Sequence, residues 1–183
     1  MPTMKSELEH VPWPPDPIKT DRLELRQTEP RDRTAMIELL ASPEVGRYLG
    51  GAQSRDALER DLPEIPGRRA GVFAVELDGD FIGTVTLDQR DPDDQVRPDL
   101  AQVELGYLFL PSSWGHGYAA EACSAALNWF TSARPGEPVV LVTQTANAPS
   151  LALAQKLHFT EAAHYEAWGA TQWLGVWTPP QSA

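Results

Sequence analysis

The run AQVELGYLFLPSSWGHGYAA (residues 101–120) changes its period midway. Its first half alternates: Val103, Leu105, Tyr107 and Phe109 fall on one side, and Gln102, Glu104, Gly106 and Leu108 on the other, as a half-covered β-strand requires. Past the turn the apolar positions are Ala119, Ala122, Cys123, Ala126, Leu127 and Phe130, at i, i+3, i+4, i+7, i+8 and i+11. That is one stripe of an α-helix, with Glu121, Ser124 and Asn128 on the opposite side. A strand, a Gly115-x-Gly117 turn and a helix start bring free N–H groups and a positive dipole end together. The junction therefore suits a phosphate or diphosphate, with the glycines allowing close approach and the small Ala119 letting the helix pack tightly. A dinucleotide fingerprint belongs in an early strand-helix-strand unit, and a Walker loop needs Gly-Lys-Ser/Thr; this run has neither context. Hydride transfer and nucleotide hydrolysis lose their main support.

Upstream, Gly71–Leu77 and Phe81–Leu87 flank Asp78-Gly79-Asp80, the signature of a tight hairpin. Residues 89–98 are polar and read as a loop. Earlier still, Leu23 and Leu25 alternate with Arg22, Glu24 and Arg26 as a first strand. Short helices are expected through Ala35, Met36, Leu39 and Leu40, then at Glu44–Leu49, then at Ser54–Leu62 behind its serine cap. Downstream, Val139–Val142 is an unbroken apolar strand, Ser150–Leu157 a crossover helix, and Thr160–Trp168 and Thr171–Trp177 two final strands. The order implies an α+β domain of seven strands, mixed but mostly antiparallel. It spans residues 18–178, between a proline-rich arm at 1–17, expected to lie on the surface, and a tail at 179–183.

A length of 183 residues fits one domain with its own core. Fifteen Lys+Arg against 26 Asp+Glu give a formal charge of -11, which disfavours binding of nucleic acid through phosphate neutralisation and favours cationic ligands. No stretch is apolar enough for a membrane span and no secretory signal is visible, so a cytoplasmic setting without membrane attachment is expected. Four histidines and one cysteine show no ligand spacing, so no metal is expected. Cys123 lies on the apolar stripe and reads as a buried structural thiol. Trp168, Trp173 and Trp177, with Tyr165, are read first as packing residues and second as a pocket lining.

Glu104-Leu-Gly-Tyr-Leu-Phe-Leu-Pro111, Trp114-Gly-His-Gly-Tyr-Ala-Ala-Glu-Ala122, Asn147-x-x-Ser150 and Lys156-Leu-His-Phe159 together resemble the GNAT superfamily of acyl-CoA-dependent N-acetyltransferases. Thr20-Asp-Arg-Leu-x-Leu-Arg26 and Ser42-Pro-Glu-Val-x-x-Tyr-Leu-Gly-Gly51 are similar to the branch containing the RimJ/RimL-type enzymes, which acetylate protein N-termini. The resemblance covers about residues 18 to 177 and implies a three-layer domain with helices on both faces of the sheet. It implies acetyl-CoA as co-substrate, its pantetheine arm along Leu108, Phe109 and Leu110. The pyrophosphate would lie on the turn formed by Trp114, Gly115, His116, Gly117, Tyr118, Ala119 and Ala120. The other partner is an amine acceptor. The acyl carrier and the amine are then the only ligands implied, for a monomer or homodimer.

An attacking amine must lose a proton, and the leaving thiolate must be stabilised. Glu104 is the candidate base. Many relatives place a tyrosine in the last crossover helix to protonate the thiolate; the matching residue here is Ala154, so Ser150 and Asn147 are the candidates to take over, beside their capping roles. Asn147 is also a candidate cofactor contact. Trp114 and His116 depart from the residues common in that turn, and His158 stands where the family often has glycine. Those departures keep open an alternative, a non-catalytic acyl-CoA-binding module.

Overall fold

The computed structural model describes residues 6–91, 93 and 96–181. The strands are β1 (Ile18–Lys19), β2 (Leu23–Gln27), β3 (Val72–Leu77), β4 (Asp80–Gln89), β5 (Val103–Phe109), β6 (Val139–Gln144), β7 (Thr160–Ala167) and β8 (Ala170–Trp177). They form one sheet in the order β1-β2-β3-β4-β5-β6-β8-β7. Among the described residues only β5 and β6 pair in parallel; every other neighbour is antiparallel. The sheet has eight strands where seven were expected. The added one, β1, folds back onto Leu25 and Glu24 through a turn in which the Thr20 N–H donates to the Leu23 carbonyl and the Thr20 hydroxyl accepts from the Leu23 N–H.

Helices α4 (Tyr118–Ala133) and α5 (Ala148–Lys156) cover one face of the sheet. Their stripe of Ala122, Cys123, Ala126, Leu127, Phe130 and Ala154 packs on Leu25, Phe73, Val85, Leu105 and Leu141. Full burial of Cys123 pushes its thiol pKa up, in keeping with a structural role. Trp173 and Trp177 are 7% exposed and belong to this core, whereas Trp168, at the β7–β8 turn, is 64% exposed. On the other face lie α1 (Arg33–Ala41), α2 (Pro43–Gly46) and α3 (Arg55–Asp61), with α1 against β4. The connection β5-α4-β6 is the parallel crossover; α5 leads to β7, and β8 returns between β6 and β7.

The N-terminal arm is more deeply engaged than a surface tail. Leu8 is 2% exposed, its N–H bonds to the Ala70 carbonyl, and Ser6 bridges to Gln89. Trp13 stacks edge-on to Phe73 and Trp129, 5.1 and 5.8 Å away between ring centroids. Prolines bar the arm from extended ladder pairing, but not two apolar side chains from filling a hollow between β3 and α4.

His158 ends α5 with φ 67°, in the left-handed region, while the Phe159 N–H closes the turn onto the Ala154 carbonyl. Leu157 and Phe159 on either side are buried, whereas the His158 side chain is exposed. His158→Gly therefore removes a backbone penalty at little side-chain cost and is expected to stabilise the fold by about 1 kcal/mol. A thermal melt should rise by roughly 2–4 °C. An unchanged or lower midpoint would show that the imidazole holds something the backbone does not.

Candidate active site

Strands β5 and β6 are paired only at Val103–Val139 and Glu104–Val140. Beyond that vertex β5 stays with β4 and β6 stays with β8, so a slot opens between them and joins the two faces of the sheet. The Leu110 N–H bonds to Ile82, and an antiparallel ladder alternates, so Leu108 and Leu110 turn their peptide groups toward β4. The groups facing the slot belong to Leu105, Tyr107 and Phe109. Of the three residues expected to pair with a pantetheine, only Phe109 thus presents its backbone there, and its carbonyl accepts from the Trp114 indole at 2.9 Å.

At the α4 end, Gly115 and Gly117 take φ 79° and 80°, and Gly117 is the N-cap of α4 without a side-chain cap. Among the described residues, no protein acceptor meets the N–H groups of Gly115, His116, Gly117, Tyr118, Ala119 and Ala120. A row of unsatisfied donors at a helix start is an anion cradle. It borders a cavity of about 390 Å³ lined also by Arg22 and Lys156. Arg22 is held over the Tyr118 ring at 4.6 Å, donates to the His116 carbonyl at 2.9 Å and pairs with Glu121 at 2.7 Å. The His116 ring also stacks against Tyr118, 5.3 Å between centroids. Burial raises the Glu121 pKa, but bonds from the Thr20 hydroxyl and from the Arg22 backbone and side chain outweigh it and hold the carboxyl below its ordinary value. Glu121 stays an anion committed to Arg22, so its charge is largely cancelled at the cradle.

Sequence reading missed both cations. Arg22 looked like the solvent side of a strand, and Lys156 like the last turn of a helix; only the packing of β2 and α5 against α4 brings them to the glycine turn. Trp114 is 48% exposed, and its indole fastens the end of β5 instead of facing the cavity.

Glu104 sits at the vertex, on the face away from α4, opposite Asp88 on β4 and Val140 on β6. Arg90 lies close enough that the Glu104 charge opposes the lowering of the Arg90 pKa by burial. On the α4 side, Asn147 accepts from the Ser150 N–H at 3.3 Å and caps α5. The Ser150 hydroxyl, in a residue 8% exposed, meets the Tyr107 hydroxyl at 2.5 Å. Tyr107, grouped by alternation with the apolar set, therefore carries a polar tip into the slot. Burial pushes its phenol up to about 12, against a smaller lowering by Ser150. No group of three or more His, Cys, Asp or Glu among the described residues could hold a metal ion. Nor is any described helix long and apolar enough to cross a membrane.

The fold recurs in known proteins. The chain is 28% identical to the uncharacterized N-acetyltransferase p20 of Bacillus licheniformis, over 78% of this chain and 81% of that one. Its fold resembles an acetyltransferase (GNAT family) from Bacillus anthracis, with TM-score 0.73 and 20% identity over 88% of this chain and 98% of the other. It also resembles Mycobacterium smegmatis RimJ, solved with CoA-disulfide, with TM-score 0.66 and 22% identity over 94% and 93% of the two chains. A family model described as the acetyltransferase (GNAT) domain matches residues 22–160, which take in the split β5–β6 pair, the amide cradle and the capped α5; the chain belongs to the GNAT acetyltransferase family.

Proposed function

We propose that the protein transfers an acetyl group from acetyl-CoA to a primary amine, by direct attack in a ternary complex. The observation that carries this is the slot beyond Glu104–Val140 with the donor cradle at its α4 end. The amides of Gly115 to Ala120, with Arg22 and Lys156, receive the diphosphate; the slot-facing backbone of Tyr107 and Phe109 receives the pantetheine arm. Their fit rests on chemistry: a row of unsatisfied N–H donors and the Lys156 ammonium, beside an Arg22 guanidinium balanced by Glu121, suit a diphosphate, even in a chain of net charge -11.

The thioester then reaches the vertex from the α4 side and the amine from the Glu104 side. Glu104, directly or through water, takes the proton that nitrogen loses as the N–C bond forms. The C–S bond breaks with its electron pair on sulfur, where Ser150 stabilises the thiolate; Asn147 holds the Ser150 turn in place and borders the cofactor. The motif at residues 20–26 and the likeness to RimJ support the RimJ/RimL-like branch, and the acidic surface supports a cationic acceptor such as a protein N-terminus or a small polyamine. A cytoplasmic enzyme, monomeric or homodimeric, is consistent with both.

Titration calorimetry with acetyl-CoA, followed by a panel of amines read by thiol release, tests the reading. Binding and amine-dependent release of CoA are expected. Absence of heat at millimolar acetyl-CoA rejects the cofactor; binding without release for any amine leaves a non-catalytic acyl-CoA-binding module.

A further inference from the structure

We propose that Tyr107 positions the Ser150 hydroxyl, its phenol donating to Ser150 Oγ so that the serine's own hydrogen is turned into the slot between β5 and β6. The inference rests on the proposed function and assigns a side chain that the mechanism above leaves unused. Two hydroxyls 2.5 Å apart share one hydrogen, and the stronger acid of the pair donates it. A phenol is a far stronger acid than an aliphatic alcohol. Burial keeps the phenol protonated throughout the working range, so it remains a donor.

The consequences for Ser150 follow from its surroundings. Its N–H is already taken by Asn147 Oδ1, and among the described residues its Oγ has no partner besides Tyr107. With one lone pair occupied by the phenol, the hydroxyl hydrogen needs an acceptor. The bond joins β5 to the first turn of α5, so it spans the slot on the side from which the thioester enters. A developing thiolate there is an acceptor for that hydrogen, at the N-terminal turn of a helix that favours negative charge. No proton changes owner in this step: Ser150 donates a hydrogen bond to sulfur, and Tyr107 fixes its direction. In this chain, where α5 carries Ala154, a phenol from β5 thus supports the leaving group indirectly.

The test compares CoA with desulfo-CoA, which lacks the sulfur, in calorimetry at about pH 10, where an alkyl thiol is substantially ionised and the buried phenol is not. The wild type is expected to prefer CoA about tenfold, the scale of a hydrogen bond to a charged group. The preference should fall to about one in Tyr107→Phe, Ser150→Ala and the double variant alike, with melts checked for each. In turnover, Tyr107→Phe should lower kcat with little change in the KM for acetyl-CoA, and should cost nothing further once Ser150 is Ala. Replacing Tyr107 by 3-fluorotyrosine, a stronger donor of nearly the same shape, should raise the preference, which a packing role does not predict. A Tyr107→Phe protein that keeps the wild-type preference, losses that add in the double variant, or no response to fluorination would each overturn the proposal. Failure of the wild type to bind either ligand removes the cofactor reading itself, and Tyr107 with it, and is recognised without any variant.

Discussion

Glu104→Gln is expected to cut turnover by about 10²- to 10⁴-fold, the usual contribution of a positioned base, while leaving the affinity for acetyl-CoA near that of the wild type. The substitution is close to isosteric and keeps a polar group at the β5–β6 vertex, so the two pairs that close the slot should persist. What it removes is the negative charge and the basic lone pair. The position separates the two effects physically, because Glu104 lies on the face away from α4 whereas the row of free amides and Ser150 lie on the α4 side. Steady-state kinetics with a saturating amine, paired with calorimetry, measures both. Undiminished kcat would remove Glu104 from the chemistry; a large loss of cofactor affinity would reassign it to holding the strands apart.

The strand-turn-helix junction was readable because its two periods differ and its glycines sit between them, so β5, the cradle and α4 emerged from residues 101–133 alone. Tertiary neighbours of that junction were not readable. Arg22 meets the His116 carbonyl from nearly a hundred residues upstream, and Tyr107 meets Ser150 across the slot; no local pattern marks either contact. A second loss came from treating alternation as apolar-in, polar-out. Helices cover both faces here, so polar positions on the α1 face are buried as well: Arg26, Glu76 and Asp88 are 5%, 7% and 1% exposed. Burial of such groups demands partners that a sequence does not name. The arm failed for a related reason, since Leu8 stands between Glu7 and Glu9 and looks solvated until the hollow near Ala70 is known.

Arg26 is where that covered polar face has its largest expected consequence. Its guanidinium reaches Asp32 through two bonds of 2.8 Å and Glu76 at 2.6 Å, and donates to the Gln27 carbonyl at 2.9 Å. Hydrogen bonding to Asp32, more than offsetting desolvation, raises its pKa further above the ordinary value, so the charge is permanent. The pair ties β2 to the turn that opens α1, while Arg31 reaches Glu76 from outside at 2.6 Å. Arg26→Met fills most of the volume but strands Asp32, 1% exposed, with only the Glu29 N–H as a partner among the described residues. Breaking a buried ion pair from one side costs about 3–5 kcal/mol, chiefly through the charge left behind. For a chain of this size that is a melting midpoint lowered by roughly 6–20 °C. Because the cost lies in the orphaned carboxylate, adding Asp32→Asn to Arg26→Met should recover about 1 kcal/mol or more, a sign that independent losses cannot produce. If the double variant is instead less stable than Arg26→Met alone, the damage comes from lost bonding at the α1 turn and not from an unpaired charge. Glu76, retaining Arg31, gives the internal comparison: Arg26→Met with Glu76→Gln should recover less than with Asp32→Asn.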